Sequence, residues 1–156
     1  MRGLVRVGAA VPSLALGNVK ENMKRHLAMM REAKEKHVSI VTFPELSLTG
    51  YTCGDLFFQR RLLDDVTDAL LTLKDEMPEG SLAVVGAPLE IEGALYNCAV
   101  VLHKGEIISA VPKTFLPNNG EFYEKRWFQS GDARRDASVA IPKLKTDVCC
   151  QAIFET

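Results

Sequence analysis

Two short strings in this sequence place a charged side chain directly behind a proline at the end of an apolar run. They are Val41-Thr42-Phe43-Pro44-Glu45 and Ala110-Val111-Pro112-Lys113. In open α/β sheets, ligands and reactive groups gather at the carboxyl ends of strands, where both charges are expected to sit. Taken singly, each is most simply a solvated surface charge. Taken together, two opposite charges at equivalent strand ends form a pair that one site could use. A carboxylate beside an ammonium stays ionised and can serve as a base near neutral pH. An ammonium, in turn, can stabilise negative charge that develops on a reacting oxygen.

The surrounding pattern supplies the elements that would hold such a pair. Residues Gly3 to Pro12 are rich in Val and Ala and read as a buried strand. Asn18 is a good helix N-cap, with Glu21 three residues on. Val19, Met23, Leu27, Met30 and Ala33 then recur at helical spacing, and the helix is predicted to end near His37. Val38 to Phe43 is a second short strand, which completes a βαβ unit and implies parallel neighbours in the sheet. A second helix is predicted over Gln59 to Lys74, and a third strand over Leu82 to Pro88. Tyr96 to His103 and Glu106 to Val111, separated by Lys104-Gly105, read as a hairpin with a tight turn. Beyond Pro112 the chain becomes irregular and aromatic. The expected architecture is α/β, with one mixed sheet and helices on one face.

Composition limits the function classes. The 156 residues are 47% hydrophobic and 25% charged, which is ordinary for a globular domain. A formal net charge of −1 gives no reason to expect nucleic acid or an anionic membrane as partner. No apolar run suggests a signal peptide or a membrane span. Cys53, Cys98, Cys149 and Cys150 show no CxxC spacing, so free thiols in a reducing compartment are expected and the predicted location is cytoplasmic. His26, His37 and His103 are scattered without metal-ligand spacing.

Longer strings narrow the reading. Phe43-Pro44-Glu45-Leu46-Ser47-Leu48-Thr49-Gly50-Tyr51, followed far on by Pro112-Lys113 and then by Glu121, resembles the nitrilase (carbon–nitrogen hydrolase) superfamily. Three extended strings are similar to the glutaminase domains of bacterial glutamine-dependent NAD synthetases. They are Thr49 to Phe57, Lys113-Thr114-Phe115-Leu116-Pro117-Asn118, and Glu121 to Phe128. The resemblance implies a nitrilase-like α-β-β-α sandwich, of which residues 1–156 would supply about half, as the N-terminal portion of the domain. It also implies a Glu-Lys-Cys triad. Glu45 would be the general base, Lys113 would stabilise the oxyanion, and Glu121 would be the second glutamate that positions lysine and substrate. A cysteine would attack the side-chain amide of glutamine.

The sequence departs from that pattern in three places. An ICEDLW-type nucleophile motif is not found, and Cys149-Cys150 is followed by Gln151-Ala152 instead of an acidic pair. Both cysteines are therefore read as non-catalytic, and the chain alone is expected to be inactive. An SGGxDS-type phosphate loop is also not found, so ATP and magnesium are expected only for a separate C-terminal synthetase domain. Finally, the position six residues after the lysine, usually a substrate-contacting tyrosine in this family, is Asn119. Glutamine, the chain's own synthetase domain and further copies of itself are the expected partners. Two other readings stay open: a stand-alone amidase of the same superfamily, and a catalytically dead α/β interaction module.

Overall fold

A computed structural model describes residues 4–134, 139–141 and 144–148. Strand β1 (Val7–Ala9) leads to helix α1 (Val19–Glu35) and strand β2 (Ile40–Thr42). A 3₁₀ turn (Gly54–Phe58) precedes helix α2 (Arg60–Glu76). Three longer strands follow: β3 (Leu82–Ile91), β4 (Ala94–His103) and β5 (Glu106–Pro112). A one-turn helix α3 (Glu124–Trp127), a 3₁₀ turn (Gly131–Arg134) and strands β6 (Val139–Ile141) and β7 (Thr146–Val148) complete the described chain.

The strands form one seven-stranded mixed sheet in the order β1-β2-β3-β4-β5-β7-β6. The pairs β1–β2 and β2–β3 are parallel, as the βαβ pattern requires, and β3–β4 and β4–β5 are antiparallel. One face carries the core. Ala83, Val85 and Ala87 of β3 lie opposite Leu102, Val100 and Cys98 of β4, and all six are buried. Met30 of α1 and Val66, Leu70 and Leu73 of α2 are fully buried in the same cluster. The α/β expectation, with a mixed sheet and helices, is met.

Helix α1 starts where Asn18 predicted, its side-chain oxygen accepting the Glu21 N–H at 3.1 Å. It stops because His37 turns left-handed (φ 56°), and the Val38 N–H closes back on the Ala33 carbonyl. No helix among the described residues is long and apolar enough to cross a membrane.

Three boundaries differ from expectation. The first strand is short, and among the described strands β2 is its one neighbour. Strand β3 runs through Pro88, where the sequence suggested a stop. The Val84 carbonyl accepts from the Phe43 N–H, so β3 residues of that parity turn their polar groups toward β2. At Pro88 strand β2 has already ended, so the missing N–H leaves no partner stranded. A second hairpin turn, Glu92-Gly93, therefore joins β3 to β4. Both of its central residues have positive φ (49° and 79°), like Lys104-Gly105 (48° and 75°).

Candidate active site

The segment after β2 carries Glu45 and is held from two sides. Below it, Gly86 of β3 lets the backbone lie directly on the sheet. A Cβ there would fall 2.3 Å from the Pro44 carbonyl oxygen and 2.4 Å from the Leu46 nitrogen. From the side, two polar residues one helical turn apart on α1 reach into the same segment. Asn22 donates from Nδ2 to the Leu48 carbonyl at 3.0 Å. His26 places Nδ1 2.7 Å from the Asn22 carbonyl and Nε2 2.8 Å from Ser47 Oγ. Since that carbonyl can only accept, Nδ1 carries the proton and Nε2 accepts from the serine.

Asn22, His26 and Ser47 are all fully buried. The Ser47–His26 contact is thus a structural post for the Glu45 segment, out of reach of any substrate.

Burial lowers the His26 pKa below its ordinary value of 6.5, and the backbone contact at Asn22 only partly opposes this. The unfolded chain takes up a proton near pH 6.5 and the folded chain does not, so this contribution is complete above that pH and shrinks as pH falls below it. We expect the urea midpoint to fall between pH 7 and pH 5, and to fall less in His26→Gln. Glu32 and Asp55 have lowered pKa values, and what they contribute is lost only below the ordinary carboxylate range. A midpoint independent of pH over that interval would refute the assignment.

Lys113 follows directly on β5. Its N–H donates to the Asn97 carbonyl at 2.8 Å, and its own carbonyl accepts from Gly131 at 2.9 Å. Gly131 also lies flush, since a Cβ there would meet the Pro112 oxygen at 2.7 Å. The Lys113 ammonium donates to both oxygens of Glu45, at 2.9 Å each, and to Glu124 Oε1 at 2.9 Å. Its three protons are thereby engaged. Asn97, buried on β4, adds a 2.7 Å hydrogen bond from Nδ2 to Glu45 Oε1. Glu45 and Lys113 thus meet at a concavity of about 360 Å³ floored by Gly86, Ala99 and Val111.

The other two residues singled out by sequence lie elsewhere. Glu121 and Asn119 are exposed on the loop before α3, and Lys113 makes no hydrogen bond to Glu121. The carboxylate that reaches Lys113 from this region is Glu124, whose side chain is 1% exposed. Glu121 sits where the chain still turns in solvent, whereas Glu124 opens α3 and shares its inner face with Trp127 and Phe128. That spacing of three and four residues from an acid to two aromatics was the available signal.

Glu124 Oε1 also accepts from Tyr51 Oη at 2.6 Å, while Oε2 is buried without a hydrogen-bond partner among the described residues. Burial, then the bond to Glu124, push the Tyr51 phenol well above its ordinary pKa. For Lys113, burial disfavours the charge, but the bonds to Glu124 and Glu45 outweigh it and the pKa is raised. The ammonium therefore persists at neutral pH between two carboxylates.

Such an array can exchange a proton through Glu45 and stabilise an oxyanion through Lys113, while the two cysteines among the described residues are buried. Cys53 is buried, and burial raises its thiol pKa; Sγ donates to the Thr49 carbonyl at 3.2 Å. Cys98 is buried and opposite Ala87 on the helix side of the sheet, facing away from Asn97. Cys149 and Cys150 lie outside the described residues.

Comparison with known proteins bears on family and fold. The chain is 41% identical over 134 residues to a glutamine-dependent NAD(+) synthetase of Mycobacterium tuberculosis, a match covering 85% of this chain and 20% of that protein. It is 33% identical over 138 residues to the synthetase of Aquifex aeolicus, covering 88% and 24%. The chain thus spans about a fifth to a quarter of these relatives. Among solved structures, a glutamine-dependent NAD(+) synthetase from Cytophaga hutchinsonii superposes with a TM-score of 0.88 at 27% identity, covering 97% of this chain and 26% of that one. An amidase from Nesterenkonia shares the fold, with a TM-score of 0.70 at 18% identity over 88% of this chain and 51% of its own. Residues 6–156 match the carbon-nitrogen hydrolase family, and to that family the chain belongs.

Proposed function

We propose that this chain supplies the base and the oxyanion-stabilising ammonium for hydrolysis of the glutamine side-chain amide. The ammonia would then feed ATP-dependent NAD synthesis. The observation that carries the reading is the contact of Lys113 Nζ with both oxygens of Glu45, set within the likeness to glutamine-dependent synthetases.

Glu45 takes the proton of a cysteine thiol, and the sulfur forms a bond to the amide carbon. The carbonyl oxygen becomes an oxyanion beside Lys113, where the charge develops next to a fixed cation. Glu45 returns the proton to the nitrogen as the C–N bond breaks, releasing ammonia and leaving a thioester. Water then attacks with Glu45 again as base, which frees glutamate and the thiol. Glu124 holds Lys113 in place, the part that the resemblance assigned to Glu121.

The cysteine belongs to an ICEDLW-type strand end that this sequence does not contain. ATP and magnesium are used by a C-terminal synthetase domain, the immediate partner, in the cytoplasm.

The test is a chimera in which this chain replaces the matching N-terminal part of the M. tuberculosis synthetase. NAD formation is measured with glutamine and, separately, with ammonium. Lys113→Met is expected to lower the glutamine-dependent rate by about a hundredfold or more, the scale of losing one oxyanion donor, and to spare the ammonium-dependent rate. Equal loss of both rates would refute the assignment. Preference for simple aliphatic amides over glutamine would point to an amidase instead.

Self-association is the second part of the proposal. Val7 on the edge strand β1 and Val11, two residues beyond its end, are exposed at 67% and 75%, and open edges with apolar side chains invite pairing. Sedimentation is expected to show a dimer or larger species, and a monomer at high concentration would end this part.

A further inference from the structure

Helix α3 is a single turn, and its N-cap residue Tyr123 makes no side-chain capping bond. One turn of helix does not hold its own place, since nucleation outweighs what so few hydrogen bonds return. Yet α3 delivers Glu124, a nearly fully buried carboxylate, onto Lys113 at 2.9 Å. A buried charge tolerates little displacement, because losing its partner leaves it uncompensated. Something outside α3 has to fix it.

The backbone of α3 is tied to the loop before it, Glu124 N–H donating to the Pro117 carbonyl at 3.2 Å and Lys125 N–H to Asn118 Oδ1 at 3.3 Å, and its side chains are gripped by residues 51–58. On the outer side, Asp55 Oδ1 accepts from Arg126 Nε at 2.8 Å and from Trp127 Nε1 at 3.0 Å. Asp55 Oδ2 accepts from Arg126 Nη2 at 2.8 Å. This is a two-pronged guanidinium–carboxylate contact with a third donor, which fixes orientation as well as distance. On the inner side, the buried Phe57 ring packs 5.8 Å from Trp127 and 5.0 Å from Phe128, centroid to centroid. At the near end, Tyr51 Oη reaches Glu124 itself. Asp55 and Arg126 are more than half exposed, and ion pairs so exposed add little to stability. The contact therefore matters chiefly for where α3 sits.

We infer that Asp55, clasping Arg126 and Trp127, is a positioning residue that sets Glu124 against Lys113. Asp55 and Arg126 lie 71 residues apart in sequence, and the two strings that hold them, each part of the synthetase likeness, are on this reading the two halves of one jig. The catalytic consequence rests on the function proposed for Lys113, whereas the positioning does not.

The test reads the Tyr51–Glu124 bond directly. The chain is labelled with carbon-13 at the tyrosine Cζ, and the Tyr51 resonance is assigned by its loss in Tyr51→Phe. Glu124→Gln gives the position of that resonance without the carboxylate. In Asp55→Ala the resonance is expected to move most of the way to the Glu124→Gln position, while Asp55→Glu stays near wild type. A merely stabilising contact would lower the unfolding midpoint in Asp55→Ala and leave the resonance in place, which would overturn the inference. If Asp55→Ala does not fold, Arg126→Lys and Trp127→Phe remove the fork and the third donor singly. An unmoved resonance in both would overturn it equally. A moved resonance alongside a chimera that fails on glutamine would keep the positioning role and remove only the proposed function.

Discussion

Purified by itself, the 156-residue chain is expected to release no ammonia from glutamine above the buffer rate. Glu45 and Lys113 are in contact, and together they offer a proton acceptor and a fixed cation. Neither is suited to attack an amide carbon: an ammonium has no free electron pair, and Glu45 is already bonded by Lys113 and Asn97. The two described cysteines are buried, one bonded to a backbone carbonyl and the other on the helix side of the sheet. Residues of a catalytic unit fail together, and loss of a nucleophile costs on the order of a million-fold in rate. The measurement is coupled detection of ammonia with Glu45→Gln as control. Turnover that the control abolishes would show a nucleophile in the chain, with Cys149 and Cys150 the first to be replaced.

Replacing Gly86 by alanine is expected to cost about 3 kcal/mol of stability, at the upper end for forcing one carbon into a packed site. The three atoms that the new Cβ would meet, at 2.3, 2.4 and 2.8 Å, are all backbone atoms of residues 44–46. No side chain can swing aside, so the segment itself must lift. Asn22 and the His26–Ser47 post tie the segment to α1 and resist that movement. Glu45 is then drawn off Lys113, and a misplacement near 1 Å costs on the order of a hundredfold in rate. The checks are the urea midpoint of Gly86→Ala and the glutamine-dependent rate of the same substitution in the chimera. A midpoint within error of wild type would show that the backbone contact is not as tight as described.

Much of this was legible in the sequence because it rests on local rules. The Asn18 cap, the apolar spacing of both helices and the Lys104-Gly105 turn each act within a few residues. The pairing of Glu45 with Lys113 was legible for another reason: two strand–proline–charge settings in parallel-sheet surroundings have few places to go. What escaped depends on neighbours that sequence order does not reveal. Pro88 reads as a strand end unless it is known that β2 stops short of it. Asn97 looks like any residue in an apolar strand until its amide is seen on Glu45. The resemblance points to Glu121, while the carboxylate in contact with Lys113 is Glu124, whose clue in the sequence is the face that it shares with Trp127 and Phe128.

The turn between β3 and β4 limits how this chain can change length. Glu92-Gly93 is already a two-residue connection, the shortest that reverses a strand. Losing one residue there would force β4 to slide past β3, and a slide of one position exchanges the two faces of a strand. Asn97 would turn toward the helices and Cys98 toward Glu45, and the Asn97 carbonyl that accepts from the Lys113 N–H would be displaced as well. Added residues, by contrast, can bulge into solvent and leave the register alone. An insertion at that corner is therefore expected to leave the fold intact and a deletion to disrupt it.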